Sequence, residues 1–344
     1  MSSLIVVHPK FDRVWPWAAD HLHSLWKGQG MVQFVRLQPG DTRSIAELAT
    51  QPESVTRLVT LAVPVSEDEL RAFTGLKEAV IGMNPYSVVC PAELRNYLEH
   101  TQVNVYSHTT EGYWGQSVSE FGLALTLNGL RRIPQTHHEM MTSPKVWDYE
   151  PPGGIGQPGL RGQQFGDNPN FTNGTVQGKR IRIVGAGNIA SRYASFVRML
   201  GADVAAWDPF ASEPSFHRAG SRRELHLGRL VEDAEIFVPM VPLTETTTGL
   251  IHSKLIRSLP AGCLVVLVTR AGICDMEALR ERVLNDELSL AADVFDVEPL
   301  PLDDPLLGRH NVVHTPHNAG RTMQANQAWA EKLHEQFFPV PVYS

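Results

Sequence analysis

Residues 181–208 constrain the fold more than any other stretch of the chain. An apolar run, IRIV, leads directly into the spacing Gly185-x-Gly187-x-x-Ala190 and then into a helical pattern. Glycine at 185 permits a tight turn, glycine at 187 lets an anion approach backbone N–H groups at a helix N-terminus, and alanine at 190 lets helix and strand pack closely. The next apolar run ends at Asp208, whose carboxylate would accept ribose hydroxyls and repel a 2′-phosphate. The stretch therefore predicts a βαβ unit that binds NAD in preference to NADP.

Two alternatives remain open for this unit. Tight strand–helix turns with the same spacing occur in proteins that bind no nucleotide, and Arg222 and Arg223 lie close enough in sequence to accept the phosphate of NADP. The helix that follows the glycines is expected to bury Ile189, Tyr193, Val197 and Leu200.

Short β-like runs alternate with helical ones along both halves of the chain. The first half has β-like runs at 4–7, 32–37, 57–63, 78–82 and 103–107, and helical patterns at 15–27, 66–73 and 91–100. The second half has β-like runs at 203–208, 235–241, 263–269, 288–295 and 311–315, and helical patterns at 188–200, 253–258 and 275–286. Such alternation builds parallel sheets with crossover helices. The predicted fold class is α/β, with two Rossmann-like, doubly wound parallel-sheet domains.

Two segments separate these series. Residues 116–139 read as one long helix whose middle is apolar nearly all round, which is typical of a domain junction or a subunit interface. Residues 151–177 are crowded with Gly, Pro and Asn and are predicted to be loop. So long a loop is often functional, although a tolerated surface insertion is an equal alternative.

Composition narrows the class of partner. A formal net charge of −7 gives no electrostatic reason to bind nucleic acid, so a small molecule is expected. The N-terminus does not resemble a signal peptide and no apolar run is long enough for a membrane span, which predicts a cytoplasmic protein. The three cysteines show no CxxC pattern, so reduced thiols and no structural metal are expected.

Polar residues follow several apolar runs of the second half. Arg270 comes directly after CLVVLVT, where it could grip a planar carboxylate with two parallel hydrogen bonds. Asp293, Asp296 and Glu298 follow the run 288–295. The alternatives are a solvated arginine and solvated acids, which are common at strand ends.

The decapeptide NVVHTPHNAG (311–320) holds two histidines. A metal pair of His314 and His317 is disfavoured, because Pro316 biases the residue before it towards an extended backbone and no other Cys or His cluster is near. A loop histidine and a proton donor remain as interpretations of His317.

Five motifs, taken together and in order, resemble the D-isomer-specific 2-hydroxyacid dehydrogenase family. They are GAGNIA with Asp208, VPLTETT (241–247), TRAG (269–272), DVFDVEP (293–299) and TPHNAG (315–320). The resemblance spans essentially the whole chain. It implies a substrate/catalytic domain of residues 1–108 plus 316–344, into which an NAD-binding domain of residues 109–315 is inserted.

The resemblance also implies roles for individual residues. Arg270 would anchor the substrate carboxylate, His317 would be the acid/base and Glu298 its partner, since a nearby carboxylate stabilises imidazolium. Asp293 would contact the nicotinamide carboxamide, and Val241 with Pro242 would line the nicotinamide. The complete set expected to bind the cofactor is Gly185, Gly187, Asn188, Ile189, Asp208, Val241, Pro242, Thr247, Thr269, Asp293 and His317.

The chain departs from the family pattern on the substrate side. Where the family has a glycine-rich loop, this chain has IGMNPYS (81–87), and where it has PGxN, this chain has EGYW (111–114). The Asn expected three residues before Arg270 is Leu267, and the Gly expected after it is Ala271. Residues expected to face the substrate are Met83, Asn84, Tyr86, Trp114 and Arg270. These changes predict a substrate larger or more apolar than pyruvate or glyoxylate.

Three functional hypotheses follow. The first is an NAD-dependent oxidoreductase of a 2-hydroxy or 2-keto acid, expected from the resemblance to be a homodimer. The second is an NAD(H)-sensing binding protein or corepressor-like module with the same fold. The third is a dehydrogenase of another substrate, such as phosphite; a formate-type relative would pair the histidine with Gln, and Glu298 speaks against that.

Overall fold

The structure is a computed structural model and describes residues 2–86, 88–108, 112–148, 164 and 166–339. The chain divides into two compact units. Unit 1 comprises Met1–Tyr113 and Thr322–Ser344, and unit 2 comprises Trp114–Arg321. The domain boundaries predicted from the sequence lie at 108/109 and 315/316, a few residues before these. The assignment of substrate binding to unit 1 stays a prediction.

The described elements alternate between strand and helix. The strands are β1 Ser2–Val7, β2 Met31–Arg36, β3 Val55–Leu61, β4 Glu78–Gly82, β5 Asn104–Val105, β6 Arg180–Val184, β7 Asp203–Trp207, β8 Arg222–Arg223, β9 Ile236–Pro239, β10 Leu264–Leu267, β11 Ser289–Ala292 and β12 Val312–His314. The helices are α1 Pro9–Val14, α2 Ala18–Lys27, α3 Ile45–Leu48, α4 Glu67–Leu70, α5 Ala92–His100, α6 Gly115–Arg131, α7 Ile133–Thr142, α8 Asn188–Met199, α9 Glu213–Ala219, α10 Leu227–Glu232, α11 Ser253–Ser258, α12 Met276–Leu284 and α13 Met323–Phe337.

Unit 1 is built on a five-stranded parallel sheet in the order β2-β1-β3-β4-β5. The interior strand β1, which contains the run LIVV, is buried on both faces, as expected when helices cover a parallel sheet on each side. The C-terminal helix α13 returns to this unit, where Trp329 packs its fully buried ring against Phe11 and Trp15.

Unit 2 is built on a seven-stranded parallel sheet in the order β12-β11-β10-β9-β6-β7-β8. The chain starts at β6, runs outward through β7 and β8, and then crosses back to β9 on the other side. This reversal makes the carboxyl end of β6 a topological switch point, where doubly wound sheets bind their ligands. The predicted fold class, with two parallel-sheet α/β domains, is confirmed.

The single helix predicted over 116–139 is wrong. The structure has two helices, α6 and α7, separated at Arg132, whose backbone is left-handed with φ 51°. Pro134 explains the break, because in a continuous helix it could not donate to the Leu130 carbonyl and its ring would clash with that carbonyl. Nor is α6 buried all round, since Leu125 and Leu130 are buried whereas Leu127 is exposed.

One further expectation needs correction, and three short elements were not expected. Leu200 was expected on the buried face of α8, with Tyr193 and Val197, but it is 43% exposed. It is the residue after the last helical turn, so the helical period no longer directs it towards the sheet. The short elements β8, α9 and α10 were not predicted, because their runs are too short to show a period.

The described part of the Gly/Pro-rich segment, residue 164 with 166–177, contains no helix or strand. The Thr172 N–H donates to the Gly262 carbonyl at 2.8 Å, and the Phe171 ring lies 5.8 Å from that of His310. Gly262 and His310 precede β10 and β12, so these contacts lie at the amino ends of the strands, away from the ligand-binding edge. Residues 149–163 and 165 lie outside the described part of the chain.

Replacing Asp233 by alanine should destabilise unit 2 strongly. Arg182 of β6 is 2% exposed, and its Nε and Nη2 donate to the two oxygens of Asp233 at 2.7 and 2.6 Å. In Asp233→Ala the buried guanidinium keeps only one of its two carboxylate partners, Asp203, so we expect a loss of about 3 kcal/mol of unfolding free energy, measured by urea denaturation at pH 7. Glu281→Ala, which breaks the exposed pair with Arg257, should cost less than about 1 kcal/mol.

This effect should depend on pH. Hydrogen bonding by Arg182 holds the pKa of Asp233 below its usual range. A carboxyl with a lowered folded-state pKa stabilises the protein above its unfolded pKa and loses that contribution as the pH falls through the folded value. The difference between wild type and Asp233→Ala should therefore shrink below about pH 4; a constant difference down to pH 3 would contradict the ion-pair explanation.

Candidate active site

The glycine loop lies directly beyond the carboxyl end of β6. Gly185 has φ +114°, and a Cβ there would lie 3.2 Å from the backbone of Met240, so no other residue fits without strain. Gly187 is the N-cap of α8, and a Cβ at this position would meet no atom within 4 Å. Ala190 is buried against the sheet. The loop thus presents an open surface in front of a helix N-terminus, which suits an anionic group.

Asp208 lies one residue past β7 and holds this loop. Its Oδ2 accepts the N–H of Ala186 at 2.8 Å, while Oδ1 accepts those of Phe210 and Ala211 at 2.9 and 3.1 Å. A carboxylate oxygen can accept two hydrogen bonds, so Oδ2 retains capacity for a ribose hydroxyl.

The two arginines that favoured NADP are paired with carboxylates. Arg222 lies 3.5 Å from Glu224, and Arg223 lies 3.2 Å from Glu213. Both ion pairs reduce the positive charge available for a 2′-phosphate beside the glycine loop.

The structure brings Arg270, Glu298 and His317 together in one cavity of about 260 Å³ within unit 2. The three residues follow β10, β11 and β12, whose carboxyl ends meet at the same edge of the sheet. Apolar side chains of Leu243, Val294 and Phe295 line the rest of the cavity, together with Ala271, Gly272 and Asp296.

His317 and Glu298 form a hydrogen-bonded pair. The Nδ1 of His317 lies 2.7 Å from Oε2 of Glu298, while Oε1 of Glu298 accepts the N–H of Phe295 at 2.8 Å. The carboxylate is thus held on one side by backbone and on the other by the imidazole. Nδ1 is engaged, so Nε2 is the ring nitrogen left to act on a ligand in the cavity.

Arg270 is the cationic side chain of the cavity. Its Nη1 donates to the carbonyl of Thr269 at 2.8 Å, which orients the guanidinium. Within the described ranges, no carboxylate forms an ion pair with Arg270, unlike the arginines at 182, 222 and 223. A planar carboxylate in the cavity could therefore take two parallel hydrogen bonds from it.

Asp293 has partners that the sequence did not suggest. The residue is fully buried; its Oδ1 accepts the Thr315 hydroxyl at 2.6 Å and the Asn318 N–H at 3.0 Å, and its Oδ2 accepts the Ala319 N–H at 2.8 Å. These three donors flank His317, whose own backbone is left-handed with φ 54°. Asp293 therefore clamps the histidine loop, and its expected contact with a nicotinamide carboxamide stays a prediction.

The other residues expected near the nicotinamide form a short turn after β9. Val241 is buried and Pro242 is exposed, and the Thr247 hydroxyl donates to the Pro242 carbonyl at 2.5 Å. Thr269 is buried two residues past β10. Asn188 and Ile189 begin α8, where Asn188 accepts a hydrogen bond from Arg192 at 2.9 Å.

The substrate-facing residues expected from the sequence fall in both units. Trp114 belongs to unit 2, where its indole packs on Gly320; a Cβ added to this glycine would lie 3.0 Å from the ring. Met83, Asn84 and Tyr86 belong to unit 1 and form an exposed loop after β4.

Sequence reasoning did not assign the apolar wall of the cavity. Leu243 and Phe295 lie inside the motifs VPLTETT and DVFDVEP, and both line the cavity. The available signal was an apolar residue within a polar motif beyond a strand end. Phe295 is buried and also belongs to the hydrophobic core, whereas Leu243 is 44% exposed.

His314 and the three cysteines do not line the cavity of Arg270, Glu298 and His317. His314 is exposed on β12, and no group of three or more His, Cys, Asp or Glu within the described ranges could hold a metal. Burial raises the pKa of the Cys274 thiol to about 12 and also raises those of Cys90 and Cys263. No described helix is long and apolar enough to cross a membrane.

Asp293→Asn should weaken both the fold and the site. An amide has one acceptor oxygen, so its NH₂ group would face an N–H or a hydroxyl that the carboxylate now accepts. We expect a loss of about 2 kcal/mol in unfolding free energy and a fall in kcat, because a buried donor is left unsatisfied beside His317. Asp303→Asn is the control, since Asp303 also follows β11 but is exposed and does not line the cavity. Equal effects of the two variants on kcat would contradict the clamp.

Comparison with known proteins shows which family the chain belongs to. A family model described as the NAD binding domain of D-isomer specific 2-hydroxyacid dehydrogenases matches residues 123–319. D-3-phosphoglycerate dehydrogenase of Bacillus subtilis is 33% identical over 167 residues, 48% of this chain and 31% of that protein. Glyoxylate reductase of Thermofilum pendens is 32% identical over 241 residues, 68% of this chain and 64% of that protein. The chain thus spans from about a third to two thirds of these relatives.

Solved structures show the same fold. A phosphoglycerate oxidoreductase from Rhizobium etli has a TM-score of 0.71 and 19% identity, covering 98% of this chain and 94% of that chain. The NAD-complexed D-isomer specific 2-hydroxyacid dehydrogenase from Lactobacillus delbrueckii ssp. bulgaricus has a TM-score of 0.68 and 18% identity, covering 97% and 96%. The predicted cofactor, NAD, is confirmed by the matched domain. The chain belongs to the D-isomer specific 2-hydroxyacid dehydrogenase family.

Proposed function

We propose that this protein is an NAD-dependent oxidoreductase that transfers a hydride between NAD(H) and a 2-hydroxy or 2-keto acid. The observation that carries the proposal is one cavity lined both by Arg270, which pairs with no carboxylate of the described residues, and by the hydrogen-bonded His317 and Glu298. A carboxylate anchor and a proton donor are what reduction of a 2-keto acid needs.

The glycine loop fits the cofactor. Gly187 leaves open space before the N-terminus of α8, and Asp208 lies beside the loop with acceptor capacity for a ribose hydroxyl. When bound, NADH supplies the hydride. The residues proposed to hold it are Gly185, Gly187, Asn188, Ile189, Asp208, Val241, Pro242, Thr247, Thr269, Asp293 and His317.

The side chains of the cavity divide the remaining work. The Arg270 guanidinium binds and orients the substrate carboxylate through two hydrogen bonds. His317 delivers a proton from Nε2 to the keto oxygen in reduction and accepts it in oxidation. Glu298 holds Nδ1, which fixes the orientation of the ring and leaves Nε2 directed to the substrate.

We further propose a substrate more apolar or larger than pyruvate or glyoxylate. Two observations support this: the wall of Leu243, Val294 and Phe295, and the placement of Trp114 on Gly320, three residues past His317. The residues proposed to face the substrate are Met83, Asn84, Tyr86, Trp114 and Arg270.

A kinetic panel tests both proposals. Purified protein is mixed with NADH and with glyoxylate, pyruvate, 2-ketoisocaproate or phenylpyruvate, and the loss of NADH absorbance is recorded. We expect the highest kcat/KM with the bulkier apolar acids; a preference for glyoxylate would contradict the substrate proposal. NADH binding without turnover across the panel would favour an NAD(H)-sensing protein. Reduction of NAD by phosphite alone would favour a phosphite dehydrogenase.

A homodimer in the cytoplasm is proposed as the working form. The exposed apolar side chains of α7 and the turn after it support a partner on that face of unit 2; they include Ile133, Met140, Met141 and Trp147. Light scattering coupled to size-exclusion chromatography should give twice the 38.2 kDa mass of the chain. A mass of one chain at micromolar concentration would contradict the dimer.

A further inference from the structure

We propose that Trp15 is a positioning residue, whose indole N–H holds the loop 83–86 in the conformation that receives the substrate. The inference rests on the proposed function, because the substrate is what this loop would meet. Every residue that carries it lies in unit 1.

The loop has few connections to the rest of the unit. The Nε1 of Trp15 donates to the carbonyl oxygen of Pro85 at 3.0 Å, across 70 residues of sequence. Inside the loop, Oδ1 of Asn84 accepts the N–H of Tyr86 at 2.8 Å. Among the described residues, the bond from Trp15 is the only hydrogen bond that joins 83–86 to another element.

The loop sequence explains why its carbonyl is the tethered group. In a glycine-rich loop, successive backbone N–H groups could hold the loop in place or bind a ligand. Pro85 has no backbone N–H. The carbonyl oxygen of Pro85 is therefore the backbone group of this residue that can accept a hydrogen bond from Trp15. The exposed side chains of Met83 and Tyr86 then project from a fixed backbone.

Trp15 is suited to act as a fixed donor. Its side chain is fully buried, and its backbone N–H caps α1 by donating to the Phe11 carbonyl at 2.8 Å. Its ring packs on Trp329 at a centroid distance of 5.7 Å, so the indole cannot follow the loop if the loop moves. A donor held this rigidly reduces the conformational freedom that substrate binding would otherwise have to remove.

Trp329 provides a control inside the same aromatic cluster. It is also fully buried, but its Nε1 is without a hydrogen-bond partner among the described residues. Replacing either tryptophan by phenylalanine removes a similar volume and one indole N–H. Only the replacement at 15 releases Pro85.

The experiment compares Trp15→Phe and Trp329→Phe in the full-length protein, with the 2-keto acid that wild type reduces best. We expect Trp15→Phe to raise KM for that acid by about 3- to 10-fold, which is what loss of one hydrogen bond corresponds to, with little change in kcat. Trp329→Phe keeps an aromatic ring beside Trp15 and leaves the bond to Pro85 in place, so it should raise KM clearly less than Trp15→Phe. The dissociation constant of NADH, measured by fluorescence, and the melting temperature report whether each variant is folded.

An equal rise in KM for both variants, or none for either, would overturn the inference. If Trp15→Phe does not fold, hydrogen exchange in wild type decides, because the Tyr86 N–H stays bonded to Oδ1 of Asn84 only while the loop keeps this conformation. Exchange there at the rate of an unstructured peptide would equally overturn it. Failure of the proposed function is distinguishable, since wild type would then reduce no acid of the panel.

Discussion

His317→Ala should lower kcat for the preferred 2-keto acid by about 10²- to 10⁴-fold, the contribution typical of a general acid. The physical reason is that the keto oxygen loses the proton donor whose Nδ1 is held by Glu298 at 2.7 Å. NADH binding should persist, because the glycine loop and Asp208 are unchanged. Stopped-flow single turnovers with saturating NADH measure the chemical step directly.

Two companion variants sharpen this prediction. His314→Ala removes an exposed histidine three residues earlier on β12 and should retain the wild-type kcat. Glu298→Gln keeps the shape of the side chain but removes its charge, so kcat should fall by less than in His317→Ala. A His317→Ala enzyme with kcat within threefold of wild type would remove the histidine from the chemistry.

Arg270→Lys should reduce kcat/KM for the 2-keto acid by about 10²-fold or more, mainly through KM. Lysine keeps the charge but cannot make two parallel hydrogen bonds to one carboxylate, and each charge-assisted bond contributes about 1.5–3 kcal/mol. Initial rates over a wide substrate range separate KM from kcat. Added guanidinium should partly restore the activity of Arg270→Ala, where the cavity is left open.

The control for Arg270→Lys is Arg257→Lys on α11. Arg257 is exposed and pairs with Glu281 at 3.1 Å, so its replacement should leave KM unchanged. An Arg270→Lys enzyme with the wild-type KM would mean that another group anchors the carboxylate.

Much of the fold could be predicted because its signals are local. Runs such as LIVV and LVVL are apolar enough to be buried on both faces, and each is followed by a helical pattern, so parallel sheets were the expected result. The break at Arg132 was missed although Pro134 was visible. The helical pattern continues on both sides of Pro134, so one long helix was predicted. No sequence pattern indicates that an arginine will adopt a left-handed backbone.

The candidate site was predictable in part for the same reason. Arg270, Glu298 and His317 each follow a strand, and neighbouring parallel strands bring their carboxyl ends to one edge. Asp293 follows the same strand as Glu298, yet the structure places one carboxylate in the cavity and the other in a buried clamp. The alternation of side-chain directions along a strand does not extend into the loop after it. The different directions of the Asp293 and Glu298 side chains therefore could not be predicted from their spacing in the sequence.

By itself, the sequence determined the positions where chemistry is possible: the turn at Gly185, the N-terminus of α8, and polar residues beyond apolar strands. Only the tertiary structure decided which of these residues are partners. The bonds from His317 to Glu298, from Ala319 to Asp293 and from Trp15 to Pro85 join residues 19, 26 and 70 positions apart. Backbone propensity and side-chain periodicity act over a few residues, whereas such hydrogen bonds form only after strands and helices have packed.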